Sequence, residues 1–172
     1  QSTYYEITAV NGDMASGATR SNAIVTGNTV ALPFEENFED ASALDLFTVI
    51  DANNDRTTWS YYAYSKVAQI RNATSGTQDD WLVLPPARLE EGYSYELKFT
   101  CYASAVSYVN ILDVAMGTSA DNMDIALASD IEISDTKSTA MKDVSVTIKP
   151  ASTGVYNIGI HIKSEKRQGT FS

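Results

Sequence analysis

Residues 32–59 read LPFEENFEDASALDLFTVIDANNDRTTW, from Leu32 to Trp59. Between Glu35 and Asp55 the stretch carries seven acidic residues and no basic one, threaded through Phe34, Phe38, Leu44, Leu46, Phe47, Val49 and Ile50, whose side chains belong in a core. A dense run of carboxylates on a half-buried segment needs a partner, because crowded or buried anions are costly. Calcium, an oxygen-seeking cation, is the economical one. Period-two alternation from Phe34 predicts a strand with Phe34, Glu36 and Phe38 on one face and Glu35, Asn37 and Glu39 on the other. Glu36, flanked by two inward phenylalanines, is then held by an ion, snorkels from a terminal strand or is turned outward by a bulge. Glu39, at the strand end, is freer to face an ion.

A second apolar run, Asp45 to Ile50, delivers the chain into Asp51-Ala52-Asn53-Asn54-Asp55. Oxygen side chains at every second position of a tight loop converge on one point, which is how loops assemble calcium sites; the same residues also suit a plain Asx turn. The loop is no EF-hand, since Arg56 stands at the sixth position in place of glycine and Tyr62 where a bidentate Glu is required. The predicted metal residues are therefore Glu36, Glu39, Asp51, Asn53 and Asp55. Past the loop, Trp59-Ser60-Tyr61-Tyr62-Ala63-Tyr64 puts an aromatic at nearly every position. Trp59, Tyr62 and Tyr64 are candidates for a sugar platform, against the alternative of ordinary cross-strand packing.

The 172 residues are 44% hydrophobic and 20% charged, enough for one good core plus part of a second domain. Ten tyrosines and abundant Thr, Val and Ile favour strands. A net charge of -10 argues against nucleic acid and anionic membrane surfaces, both of which reward clusters of Lys and Arg. No apolar run reaches the roughly 20 residues of a membrane-spanning helix, so direct membrane insertion is not expected. The chain opens in mid-strand and reads as a piece of something larger. Cys101, the one cysteine, reads as a small apolar strand residue, and His161, the one histidine, as structural. Asn72-Ala73-Thr74 fits a glycosylation acceptor, a tripeptide common by chance.

Residues 1–27 read as two strands around the Asn11-Gly12-Asp13 turn, and residues 28–31 as a linker. The hairpin resembles the end of a fibronectin type III domain, through Tyr5-x-Ile7-x-Ala9-Val10 and Ser21-Asn22 leading to Thr26. Beyond the linker, Asp79-Asp80-Trp81-Leu82-Val83-Leu84-Pro85-Pro86 is a buried strand stopped by prolines, and alternating strands follow at Tyr93–Tyr102, Val109–Met116, Met141–Lys149 and Gly154–Ile162.

The order of these motifs over 32–172 resembles the cleaved-adhesin, or choice-of-anchor, jelly-roll domains of gingipain haemagglutinin regions: Asn37-Phe38-Glu39, Ile50-Asp51-x-Asn53-x-Asp55 before Trp59, Asp80-Trp81-Leu82-Val83-x-Pro85, and Ala115-Met116-Gly117-Thr118-Ser119. The resemblance implies an all-β, antiparallel jelly-roll β-sandwich of the galactose-binding or MAM-like type, structural calcium and an adhesive role at the surface of a Gram-negative bacterium or outside it. Glu36 and Glu39 match the family's acidic first strand; Asp51, Asn53 and Asp55 match its aspartate-rich loop. The family's loop is richer in Asp and Gly, and Asn53-Asn54 and Arg56-Thr57 stand in those places here, which lowers ligand charge. The family's closing acidic strand is not matched before Ser172, and an open sheet edge is expected.

Three functions compete. The first is a noncatalytic adhesion module of a larger secreted protein, binding a host or matrix protein or a glycan. The second is a carbohydrate-binding module attached to a glycan-degrading enzyme or peptidase. The third, a glucanase-like hydrolase, needs paired carboxylates across a cleft. Asp130 with Glu132, and Glu36 with Glu39, are its nearest approach, and no Glu-x-Asp-x-Glu, Ser/His or Cys/His pattern supports catalysis. The expectation is therefore a chain that is not an enzyme.

Overall fold

A computed structural model describes residues 29–71, 76–104, 109–137 and 140–164 in full, together with the backbone of short strands within 2–25 and at 170–171. Within 2–25 the pairing is that of a hairpin: Ser2–Thr3 with Ile24–Val25, Glu6–Ile7 with Thr19–Arg20, and Val10–Asn11 with Met14–Ala15. Asn11 pairs opposite Met14, and the turn expected at Asn11-Gly12-Asp13 lies in part outside the described residues. The side chains of the fibronectin-like pattern and the Asn72-Ala73-Thr74 acceptor lie outside the described residues.

The rest is an antiparallel β-sandwich. Its strands are β1 (Thr48–Asp51), β2 (Ser60–Tyr62), β3 (Val67–Arg71), β4 (Asp80–Val83), β5 (Ala87–Leu89), β6 (Tyr95–Cys101), β7 (Asn110–Gly117), β8 (Ile125–Ile133), β9 (Lys142–Ile148), β10 (Gly154–Ile162) and β11 (Thr170–Phe171). One sheet runs β8-β7-β10-β4-β1, with β5 pairing the start of β10. The opposing strands form two separate groups, β6-β9 and β11-β3-β2.

Alternation explains the layers. In β6, Leu97, Phe99 and Cys101 turn inward while Glu96, Lys98 and Thr100 turn out; in β9, Val144, Val146 and Ile148 are buried and Asp143, Ser145 and Thr147 exposed. Leu97, Phe99, Cys101, Val144 and Val146 meet Leu82, Leu112, Val114, Ile160 and Ile162 of the large sheet and Ala68 and Ile70 of β3 in one core. Ile70, Leu112, Val114, Ile133 and Ile162 are completely inaccessible, and full burial of each such side chain contributes about 1.5–3 kcal/mol. A smaller cluster of Ala87, Leu89, Met116, Ile148 and Tyr156 seals one end, where Val30 donates its backbone N–H to the Pro86 carbonyl at 2.9 Å.

The acidic first strand expected over 34–39 does not form a ladder. Burial keeps the expected period, with Phe34, Glu36 and Phe38 half-buried and their neighbours exposed. Two local features take this segment out of a sheet. The Glu36 carboxylate accepts the Phe38 N–H at 2.7 Å, and Phe38 adopts a positive φ of 55°. Its ring then stacks on Phe47, with centroids 5.3 Å apart. Asp40 caps a short 3-10 helix, Ala41–Leu46, by accepting from the Ser42 N–H at 2.9 Å. The apolar run Asp45–Ile50 is therefore extended strand only from Thr48.

Candidate functional site

The aspartate loop follows β1 and closes at the end of the core. Asp51 accepts the backbone N–H groups of Asp55 at 3.1 Å and Arg56 at 2.9 Å. Asn53 accepts from Asp55 N–H at 3.0 Å, and Asp55 accepts from Thr57 N–H at 2.7 Å. The Asn53 and Asp55 bonds are Asx turns, in which a short side chain reaches the N–H two residues on, while Asp51 reaches across the loop to residues four and five ahead. The Asn53 amide donates to the Thr77 carbonyl at 2.9 Å, tying the loop to the entry of β4. Asn54 and Arg56 both hold positive φ, 58° and 66°. Asn tolerates that conformation; Arg56 occupies it at a cost that glycine would not incur.

The register of β1 with β4 sets Asp80 directly opposite Asp51. Asp80 is completely buried, and neither carboxylate oxygen has a hydrogen-bond partner of good geometry. Burial pushes its pKa up to about 6, the charges of Asp51 and Asp55 push the same way, and the nearby Thr58 hydroxyl works against them. Sequence reasoning singled out the Asp79-Asp80 pair as a motif but gave Asp80 no role. The signal was an aspartate at the mouth of an otherwise apolar strand.

The other predicted metal residues are engaged differently. Glu36 holds the Phe38 turn. Glu39 pairs with Lys66, whose ammonium is held above its ordinary pKa by that hydrogen bond and charge. Among the described residues no three His, Cys, Asp or Glu side chains already stand in metal-holding geometry. As a fit to calcium, Asp51, Asn53 and Asp55 share one turn, Asp80 adds an orphaned buried carboxylate, and Glu36 and Glu39 do not join them.

The aromatic candidates separate. Trp59 is only 6% exposed and belongs to the core, so it offers no ring face to a ligand. Its place in the alternation faces the opposing sheet. Tyr62 and Tyr64 are exposed, Tyr64 at 88%, at the tip of the β2–β3 hairpin. Their ring centroids lie 6.2 Å apart with planes tilted by 47°, so they form an exposed pair but no flat platform.

No catalytic arrangement is assembled at these places. The Cys101 thiol is buried, which pushes its pKa up to about 12 and keeps it from acting as a nucleophile. His161 is bound to Asp79 at 2.7 Å and stacks on Trp81 with centroids 4.2 Å apart. Asp130 shares the Lys163 ammonium with Asp113, at 2.9 and 2.8 Å. These are structural ties on the outer side of the large sheet.

The arrangement is that of an all-β, antiparallel jelly-roll β-sandwich. No family model and no curated protein matches the sequence. Among solved structures, two cleaved adhesin domains of Lys-gingipain from Porphyromonas gingivalis are similar to it, with TM-scores of 0.53 and 0.55 and identities of 19% and 16%. Each match covers 79% of this chain and 90% of the other. The N-terminal cellulose-binding domain of a β-1,4-glucanase from Cellulomonas fimi is similar at a TM-score of 0.50 and 15% identity, over 78% of this chain and 86% of its own. At such identities the likeness is one of fold.

Proposed function

We propose that the protein is a noncatalytic adhesion module, acting outside the cell or at the surface of a Gram-negative bacterium, that meets its ligand with the Tyr62–Tyr64 hairpin tip and is braced at its loop end by calcium. The exposed tyrosine pair carries the reading. Large amphipathic rings at a hairpin tip supply contact area at low entropic cost and are enriched where proteins bind partners. The 47° tilt between the rings suits a contoured partner, a host or matrix protein or a branched glycan, better than a flat polysaccharide face. Support for calcium comes from Asp80: a carboxylate opposite Asp51, raised by burial first and then by the charges of Asp51 and Asp55, is an arrangement that a cation would relieve. The remaining lone pairs of Asp51 and Asp55 would join it as oxygen ligands.

The test is binding of the immobilised chain to arrays of matrix proteins and glycans, with a Tyr62→Ala/Tyr64→Ala variant beside it. Saturable binding to at least one ligand class, lost at least tenfold in a variant with an unchanged melting point, is the expected result. Binding that survives both substitutions overturns the assignment of the tip.

A further inference from the structure

The tyrosine tip is a short turn: β2 ends at Tyr62, β3 begins at Val67, and the Ser65 N–H between them donates to the Tyr62 carbonyl at 3.3 Å. Two lysines stand at it. Lys66 holds a positive φ of 53°, which glycine or asparagine adopts at lower cost, and its ammonium pairs with Glu39. Both members of that pair are more than half exposed, so the contact is worth little and is open to exchange. Lys137 arrives from beyond β8, and its ammonium donates to the Ser65 hydroxyl at 3.4 Å. Among the described residues no ion pair engages it. Ser65, Lys66 and Lys137 line the same groove, of about 970 Å³, and so share one opening to solvent. In a chain whose acidic side chains outnumber Lys and Arg by 22 to 12, an ammonium without a carboxylate beside exposed tyrosines is a cation held for something else.

We infer that the ligand met by Tyr62 and Tyr64 is an acidic glycan, with a uronic or sialic acid whose carboxylate is bound by Lys137 and Lys66 while the phenol rings pack on the sugar. This rests on the assignment of the tip made above. The chemistry of the turn selects a sugar over a peptide. Peptides are held by main-chain bonds along a sheet edge, by apolar pockets or, when acidic, by arginine forks. At the tip the Ser65 amide is already used, and the groups on offer are side-chain hydroxyls and ammonium groups, which match the hydroxyls and carboxylate of a saccharide. A lysine ammonium is a compact point charge, suited to a single carboxylate. The net charge of -10 sets the charge density of the ligand. One carboxylate is attracted at contact range, whereas a densely sulfated chain is repelled by the rest of the molecule.

The experiment measures binding of the chain, at low salt, to pairs of branched oligosaccharides that differ in one terminal sugar: a sialic or uronic acid in one, its carboxyl-reduced alcohol in the other. Heparin and an Asp/Glu-rich peptide complete the set. The carboxylated member of a pair is expected to bind about fivefold tighter, the upper range for one ion pair at an exposed site. Lys137→Gln, with an unchanged melting point, brings the two members within about twofold of each other, and Lys137→Arg keeps them apart. Tyr62→Ala/Tyr64→Ala removes binding of both. Equal binding of the two members by the wild-type chain, lost in the tyrosine variant, overturns the acidic ligand and leaves the tip in place. A carboxylate preference that survives Lys137→Gln overturns the part given to Lys137. Tightest binding to heparin overturns the single carboxylate, and binding of the acidic peptide without any glycan overturns the sugar. Glycan binding that survives the tyrosine substitutions overturns the tip itself, and with it this inference.

Discussion

Asp80 is the residue at which the fold and the proposed calcium meet, and its titration can be followed. In the metal-free chain its folded pKa of about 6 stands above the roughly 3.9 of an unfolded aspartate. Between those values the folded chain holds a proton that the unfolded chain has released. The contribution of Asp80 to stability is therefore full at and below about pH 4, falls as the pH rises through about 6 and stays level above. Asp80→Asn removes the charge at nearly constant volume. It is expected to raise the metal-free melting point at pH 8 and to flatten the slope between pH 4 and pH 7. A variant that retains the wild-type slope would assign the pH dependence to other groups. Arg56 adds to this picture: its left-handed backbone conformation is kept because the Arg56 N–H is one of the two donors to Asp51.

At the scale of the strand, β4 and β10 illustrate how a sheet face is closed by one side chain. Trp81 stacks on His161 and also lies over Gly159, where an added Cβ would approach Trp81 Cε3 to 2.8 Å and the Met123 methyl to 3.4 Å. Gly159→Ala is therefore expected to cost about 1–3 kcal/mol in urea unfolding, through displacement of the indole. In a Trp81→Leu background the same alanine should cost less, and equal costs in the two backgrounds would exclude the contact as the cause. Elements with one buried face were legible in the sequence: β6 and β9 alternate as read, because each has the core on one side and water on the other. The segment at 34–39 shows the limit of that reading. Its period two is real, yet whether a strand finds a ladder depends on partners, and here the Glu36 and Phe38 turn and the Asp40 cap decide otherwise. The site was legible to the same extent. Asp51, Asn53 and Asp55 are local, so their spacing announces the turn, whereas Asp80 reaches them only through the β1–β4 register. Trp59 was misplaced for a related reason, since alternation separates two faces without saying which one turns inward.

Over the whole molecule, the large sheet and the two opposing strand groups are joined by a continuous core, while the polar connections lie at the ends. The aspartate loop is one such end. It links the edge strand β1 to Trp59 in the core, and through the Asn53 amide and the Ala52 N–H, which donates to the Asp79 carbonyl at 2.9 Å, to the entry of β4. A cation held by Asp51, Asp55 and Asp80 would thus restrain the ends of two paired strands at once, and its binding free energy would appear in global unfolding. At a calcium concentration one hundred times the dissociation constant, linkage adds about 2.7 kcal/mol. For a chain of this size that corresponds to a rise of roughly 5–10 °C in melting point. The expected outcome is such a rise when calcium is added in excess over EDTA, absent in Asp51→Ala/Asp55→Ala and in Asp80→Asn. The two variants differ in the metal-free state, where only Asp80→Asn starts from a higher melting point at pH 8. A calcium-dependent rise that survives Asp80→Asn would move the ion away from β4, and a melting point indifferent to calcium would leave the loop held by its Asx turns alone.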